Sequence, residues 1–320
     1  GGMLDGKALS EAPIHAINSG PSMAPIAGRH YARIDGLDED IIVADTGGTT
    51  YDVSLVRGNT IPWTRETWIG HPFRGHMTGF PSVDVKSVGA GGGSIAWVDS
   101  GGMLHVGPQS AGASPGPACY DLGGESATVT DAAVVLGYID PEYFLGGSVP
   151  LRKDLAESVI DRYVAGPLGL SRVEAAAAVL DVATENMVQA ITDITVNQGI
   201  DPASAALMGG GGAAGLNSVF IARRLGCRKL IIPEVGAALS AAGALMSDLS
   251  SEFRSMYFTI SDQFNYESVN EILQSLEEKC RNFASTTGAG AVDHAIEFTV
   301  EARYRHQVWE IEVPLQGNRI

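Results

Sequence analysis

Four apolar residues, Ile41–Ala44, run straight into Asp45, Thr46, the pair Gly47–Gly48 and two threonines, Thr49 and Thr50. A second run, Tyr51–Val56, then alternates apolar and polar positions imperfectly. The pattern predicts a strand, a tight turn and a second strand. Glycines in the turn permit positive φ and close approach of a phosphate to the main chain. The exposed N–H groups of such a turn form an anion-binding nest. Thr49 and Thr50 add hydroxyl donors, and Asp45 or Asp52 is placed to hold a magnesium ion directly or through water. An ordinary glycine hairpin with acids on its rim accounts for the same residues.

Around this hairpin the pattern divides the chain. Ser19–Gly20–Pro21–Ser22 predicts a turn into a helix through Ala24–Tyr31, with Ser22 as N-cap. Strands are expected at Thr60–Trp68, Val83–Val88 and Ala96–Val98, the last two joined by the dense glycine run Gly89–Ser94. Such a run presses its backbone against a ligand or against another segment. Val106–Tyr120 is so rich in Pro and Gly that it reads as an ordered irregular loop. Thr130 and Asp131 are expected to cap a short helix, Ala132–Leu136. From Leu151 the spacing turns helical. Ser171 followed by Glu174 is a capping box for a long alanine-rich helix ending near Asn197, stopped by Gly199 and Pro202. A short strand, Ala205–Met208, then enters Gly209–Gly215 and a helix, Ser218–Leu225. Strand, glycine loop, helix is the arrangement of a nucleotide contact or of a close helix–sheet crossing. Another strand, Lys229–Ile232, and a small-residue helix, Ala237–Met246, follow. Residues 251–320 predict a separate module: strand Phe253–Ile260, helix Tyr266–Thr286, and a pair at Phe298–Arg305 and Val308–Val313.

Forty glycines in 320 residues are well above the average share, cluster in turns without a period, and point to many close backbone approaches. The net charge of −16 argues against nucleic acid as a partner. Cys119, Cys227 and Cys280 are odd in number and widely spaced, which predicts reduced thiols and a cytoplasmic protein rather than a disulfide framework. Cys119 has no adjacent His or Lys, so a buried structural thiol is expected there. No apolar run approaches the ~20 residues of a membrane helix, and no signal peptide is visible; no membrane partner is expected. His71 and His76, near Asp84, form a loop pair able to take a transition metal or Zn2+, although their spacing fixes no mutual geometry. Neither end of the chain reads as a natural domain terminus, and a fragment or one piece of a split protein is expected.

Several runs together resemble the A-type subunit of the hydantoinase/oxoprolinase family: Ser19–Pro21, Asp45–Thr49, Gly89–Ser94, Gly107–Tyr120, Thr130–Asp131 and Gly209–Gly215. That family comprises 5-oxoprolinases, N-methylhydantoinases and the carboxylases of acetone and acetophenone. The resemblance implies an α/β fold, the second actin-like (ribonuclease H-like) ATPase lobe over residues 1–250, with the start of a partial α+β module over 251–320. It also implies ATP and Mg2+ as cofactors. Gly47, Gly48, Thr49 and Thr50 would surround the phosphates. Asp45 and Asp52 would be the catalytic acids, with Asp45 also holding magnesium, and Gly210, Gly211, Gly212 and Gly215 would lie under the adenosine.

The shared step implied is phosphorylation of the carbonyl oxygen of a small substrate, after which a hydantoinase B-like partner acts on it. Family members carry another DxGGT-like loop in an opposing lobe. Only one occurs here, so the chain is expected to supply half of an ATP cleft. Lys86 and Asn217 stand where many members have His. The resemblance points first to a ketone carboxylase subunit and second to a cyclic-amide hydrolase. A non-catalytic structural subunit is the reading from another class. Rossmann dinucleotide binding is disfavoured, because neither loop reads GxGxxG with an acid ~20 residues on.

Overall fold

The structure is a computed structural model that describes residues 6–70 and 73–320. The chain divides into two compact units, one of residues 18–247 and one of residues 248–320 with the described residues up to Ile17.

The larger unit is built on a five-stranded mixed sheet. Its strands are β1 (Ile41–Thr46), β2 (Tyr51–Val56), β3 (Val85–Val88), β6 (Ala206–Gly210) and β7 (Leu230–Ile231), in the order β7-β6-β1-β2-β3. β6 runs parallel to both β1 and β7, while β2 is antiparallel to β1 and β3. Both faces of β1 are covered, which is why it reads as a continuous apolar run rather than an alternating one. On one face, Ile42, Ala44, Tyr51, Val53, Leu55 and Leu207 pack against Met187, Ile191 and Ile194 of α4 (Arg172–Asn197) and Ile221 of α5 (Ala214–Leu225). On the other face, Ile41, Val43, Val56 and Met208 meet Ala24 and Ala27 of α1 (Ala24–Ile34) and Leu239 of α6 (Leu239–Met246). Burying each large side chain here contributes about 1.5–3 kcal/mol. At 26 residues, α4 is about 39 Å long and serves two cores. Its C-terminal half lies on the sheet. Its N-terminal half packs Ala175, Val179 and Ala183 against a second core. That core includes Ala96 and Val106 from the antiparallel pair β4 (Ser94–Val98) and β5 (Leu104–Ser110), with Val129 of α2 (Val129–Val135) and Val159 of α3 (Lys153–Ile160).

Several expectations are corrected. Val106–Ser110 is strand, not irregular loop: Gly107 and Pro108 fall where the β4–β5 register shifts, so the missing proline N–H breaks no regular ladder. α1 is preceded by a 3-10 turn, Pro21–Met23, and has no side-chain cap, so Ser22 does not cap it. α2 begins at Val129, and its cap lies two residues before Thr130: Thr128 is the cap, and Asp131 is the reciprocal acid of its capping box. The run Thr60–Trp68 is broken at Pro62 and yields only two two-residue strands. The Ser171–Glu174 capping box stands as read, with Ser171 accepting from Glu174 N–H and Glu174 accepting from Ser171 N–H.

In the smaller unit, α7 (Tyr266–Ser285) is capped by Asn265, whose Oδ1 accepts from Ser268 N–H at 3.1 Å. β8 (Phe298–Ala302) and β9 (Ile311–Leu315) form an antiparallel pair. The predicted strand Phe253–Ile260 is not formed: among the described residues the segment pairs with no other strand, and apolar content without a partner does not make a strand.

Candidate functional site

The C-terminal ends of the parallel strands β1 and β6 lie side by side, and in open α/β sheets ligands bind beyond that edge. Register puts Asp45 of β1 beside Gly210 of β6 on one side and opposite Asp52 of β2 on the other. Ser87 of β3 is the next residue along the row. Residues directly opposite in an antiparallel pair share a face, and alternation along β1 and β2 puts both acids on the α1/α6 face.

The β1–β2 turn is tied down through its carbonyls. Thr46 O accepts from Ala213 N–H at 3.0 Å, Gly47 O from Gly92 N–H at 3.2 Å, and Gly48 O from Gly93 N–H at 2.6 Å. Its donors are left over. Among the described residues, the backbone N–H groups of Gly48, Thr49 and Thr50 reach no protein acceptor, and Gly48 and Thr49 are exposed. Three consecutive unpaired N–H groups at an exposed turn are the donor set of an anion nest.

The Gly89–Ser94 run presses on protein. A Cβ on Gly91 would lie 2.7 Å from Gly47 O and 2.8 Å from Gly48 C. Behind it, the Thr130 hydroxyl and N–H both donate to Gly92 O at 2.8 Å. The same test separates the glycines of the second loop. A Cβ on Gly210 would overlap Leu239, and one on Gly211, where φ is +87°, would lie 2.2 Å from Thr46 O. Cβ atoms on Gly48, Gly212 and Gly215 would meet nothing within 4 Å. Those three glycines face open space.

Asp45 Oδ2 accepts from the Ser240 hydroxyl at 2.6 Å. Asp52 Oδ2 accepts from Thr50 Oγ1 at 3.3 Å, while Asp52 Oδ1 is buried without a hydrogen-bond partner. Burial, and then the neighbouring Asp45 charge, hold the Asp52 carboxyl above the usual aspartate range against the opposing hydroxyls of Ser87 and Thr50. A partnerless buried oxygen beside a second carboxylate fits a hard cation. Magnesium takes one or two carboxylates and completes its shell with phosphate oxygens and water.

Ser240 was not among the residues singled out by sequence. Its only signal is that it is the one polar side chain in a helix otherwise made of Ala, Gly, Leu and Met. Lys86 and Asn217 are both paired within the protein. Lys86 forms an ion pair with Asp193, and Asn217, buried, donates to Thr184 Oγ1 at 3.1 Å. Cys119 is a buried free thiol, pushed up by burial and by Asp131. Asp131 accepts from the N–H groups of Ala118, Cys119 and Thr128, which fixes the loop before α2. His71 lies outside the described residues. His76 is exposed on a two-residue strand, and the described residues contain no group of three His, Cys, Asp or Glu able to hold a metal. No helix among the described residues is long and apolar enough to cross a membrane.

The chain belongs to the hydantoinase/oxoprolinase family, whose profile matches residues 1–253. It is 38% identical over 324 residues to the caprolactamase subunit alpha of Pseudomonas jessenii, covering 100% of this chain and 46% of that one. It is 34% identical over 304 residues to the acetophenone carboxylase gamma subunit of Aromatoleum aromaticum, covering 91% of this chain and 40% of that one. Among solved structures it resembles nucleotide-free acetone carboxylase, with a TM-score of 0.78 and 25% identity over 94% of this chain and 43% of the other. The chain thus spans less than half the length of these relatives.

Proposed function

We propose that the unit of residues 18–247 forms the second actin-like ATPase lobe, with the residues from 248 on beginning a separate α+β module, in a component of an ATP-dependent enzyme that phosphorylates a carbonyl oxygen. The observation that carries this reading is the pairing of unlike groups at one sheet edge. Three leftover N–H donors at Gly48–Thr50 adjoin two carboxylates, Asp45 and Asp52. The donors suit phosphate oxygens, and the carboxylates suit the cation that accompanies them. Gly47, Gly48, Thr49 and Thr50 would cradle the phosphates, and Asp45 with Asp52 would hold magnesium. Bound there, magnesium supplies charge neutralisation on the phosphoryl group in transfer. Gly212 and Gly215, open to solvent, would lie under the adenosine, while Gly210 and Gly211 shape that loop by packing.

In the chemistry proposed, the γ-phosphoryl group passes from ATP to the carbonyl oxygen of a small substrate, and ADP is the leaving group. The substrate gives up a proton, from N–H in a cyclic amide or from the α-carbon in a ketone. A B-type partner then acts on the activated species, and an opposing lobe completes the ATP cleft. The 38% identity to a caprolactamase subunit favours a cyclic amide. Ketone carboxylation is the second reading, supported by the acetophenone carboxylase subunit and the acetone carboxylase fold.

The test is ATP turnover by the complete complex with caprolactam, hydantoin, 5-oxoproline, acetone or acetophenone, each with and without bicarbonate. Turnover with a cyclic amide, independent of bicarbonate, supports the hydrolase. Turnover requiring a ketone and bicarbonate moves the assignment to the carboxylases. Silence with all five, in a complex that still assembles, overturns the enzymatic reading in favour of a structural subunit.

A further inference from the structure

The segment Gly236–Ser240 makes three consecutive contacts with the proposed nucleotide edge. Gly236 O accepts from Gly211 N–H at 2.7 Å. Leu239 fills the space a Cβ on Gly210 would need. Ser240, in the first turn of α6, donates its hydroxyl to Asp45 Oδ2 at 2.6 Å. These contacts fix one carboxylate oxygen of Asp45 and leave the other. Oδ1 accepts no hydrogen bond among the described residues, and it faces Gly211, where a Cβ would lie 2.6 Å from it. A methyl group at residue 211 would cover that oxygen, and the glycine keeps it open.

We infer that Ser240 is a positioning residue for the metal–phosphate site. It holds Asp45 in the one orientation that spends Oδ2 inside the protein and offers Oδ1 to the cation. The hydroxyl itself touches neither cation nor phosphate. A short charge-assisted hydrogen bond from a hydroxyl fixes a carboxylate more firmly than a neutral one would. Without it, the Asp45 side chain samples rotamers in which Oδ1 leaves its place beside Gly211. The inference rests on the reading of Asp45 as a cation ligand, and its test separates the two.

The experiment measures Mn2+ binding in the presence of ADP, by electron paramagnetic resonance of free Mn2+, with the full-length subunit in its native complex. ADP affinity without metal is measured in parallel. For Ser240→Ala, Mn2+ binding is expected to weaken on the order of 10-fold, the scale of losing a partner that orients a metal ligand. Metal-free ADP affinity and the melting temperature should stay near wild type. Ser240→Thr, which retains the hydroxyl, is expected to restore Mn2+ affinity to within about 3-fold of wild type, since the same hydrogen bond orients the ligand. If Ser240→Ala leaves Mn2+ binding unchanged while Asp45→Ala abolishes it, the positioning role is wrong and the ligand assignment stands. If Asp45→Ala also leaves Mn2+ binding unchanged, both fall.

Discussion

Replacing Gly211 with alanine tests whether the two loops are interlocked as described. The residue has a φ of +87°, outside the range an L-residue adopts readily, and its Cβ would sit 2.2 Å from Thr46 O and 2.5 Å from Thr46 C. The left-handed backbone costs about 1–2 kcal/mol for a residue with a Cβ. Displacing a packed backbone carbonyl costs about 1–3 kcal/mol more. Thr46 is itself buried and anchored, its carbonyl accepting from Ala213 N–H, so it has little freedom to retreat. Together these give about 2–5 kcal/mol. In a unit of residues 18–247 that corresponds to a fall in melting temperature of roughly 5–15 °C. The control is the adjacent Gly212→Ala, where a Cβ meets nothing within 4 Å and φ is not in the left-handed range. It should melt within about 1 °C of wild type, because ordinary surface changes are nearly neutral. Thermal unfolding followed by circular dichroism measures both. Equal melting temperatures for the two variants would refute the interlock.

Gly91→Ala acts on the first loop from behind: its Cβ would be 2.7 Å from Gly47 O, so the turn must shift, and ADP affinity measured by calorimetry on the full complex should fall by about 10-fold or more, a loss near 1.4 kcal/mol. Unchanged affinity would remove the Gly48–Thr50 nest from the proposed site. Asp52 carries a pH signature. Its folded pKa is raised above the ordinary 3.8, so just above that value the folded chain keeps a proton that the unfolded chain has released. Stability therefore falls as pH rises from the ordinary value through the raised one. Asp52→Asn removes that fall, and urea midpoints across the window should converge to a flatter profile; an unchanged slope would show that Asp52 does not titrate there. Ser171→Ala breaks the capping box of α4 and should cost about 1 kcal/mol, with Ser171→Asp recovering most of it in thermal melts.

What could be read from sequence was what local pattern determines. Ile41–Val56 declared its strands because the apolar run and the Gly-Gly turn are contiguous, and α4 declared its start because both members of the Ser171–Glu174 box are three residues apart. Contacts made across the chain were not legible. The Ser240–Asp45 hydrogen bond spans 195 positions, and nothing near Ser240 announces it. Gly89–Ser94 was readable as a close approach, but whether to ligand or protein depended on where Gly47 and Gly48 lay in space. Thr130 looked like a cap because a hydroxyl precedes a helical run. In the fold that hydroxyl goes to Gly92 O, and Thr128, two residues earlier, performs the capping. Pro and Gly density misled at Val106–Ser110, because a ladder with a register shift tolerates what a regular one excludes.

The charge balance at the sheet edge carries the functional argument furthest. In a chain with a net charge of −16, the anion-seeking element is made from backbone dipoles: the acceptors of the Thr46–Gly48 turn are consumed by Ala213, Gly92 and Gly93, and the donors after them are left free. Beside those donors the fold sets two carboxylates in register, with one oxygen buried and unpartnered. That juxtaposition is unfavourable by itself, since desolvation and like charge both penalise the ionised form of Asp52. A proton relieves it at low pH, and in the proposed site a divalent cation would relieve it at neutral pH and draw phosphates toward the free N–H groups. Donors and acids side by side are costly as structure and complementary as a magnesium–phosphate site, and this asymmetry is what supports the proposed ATPase reading over a glycine hairpin with acids on its rim.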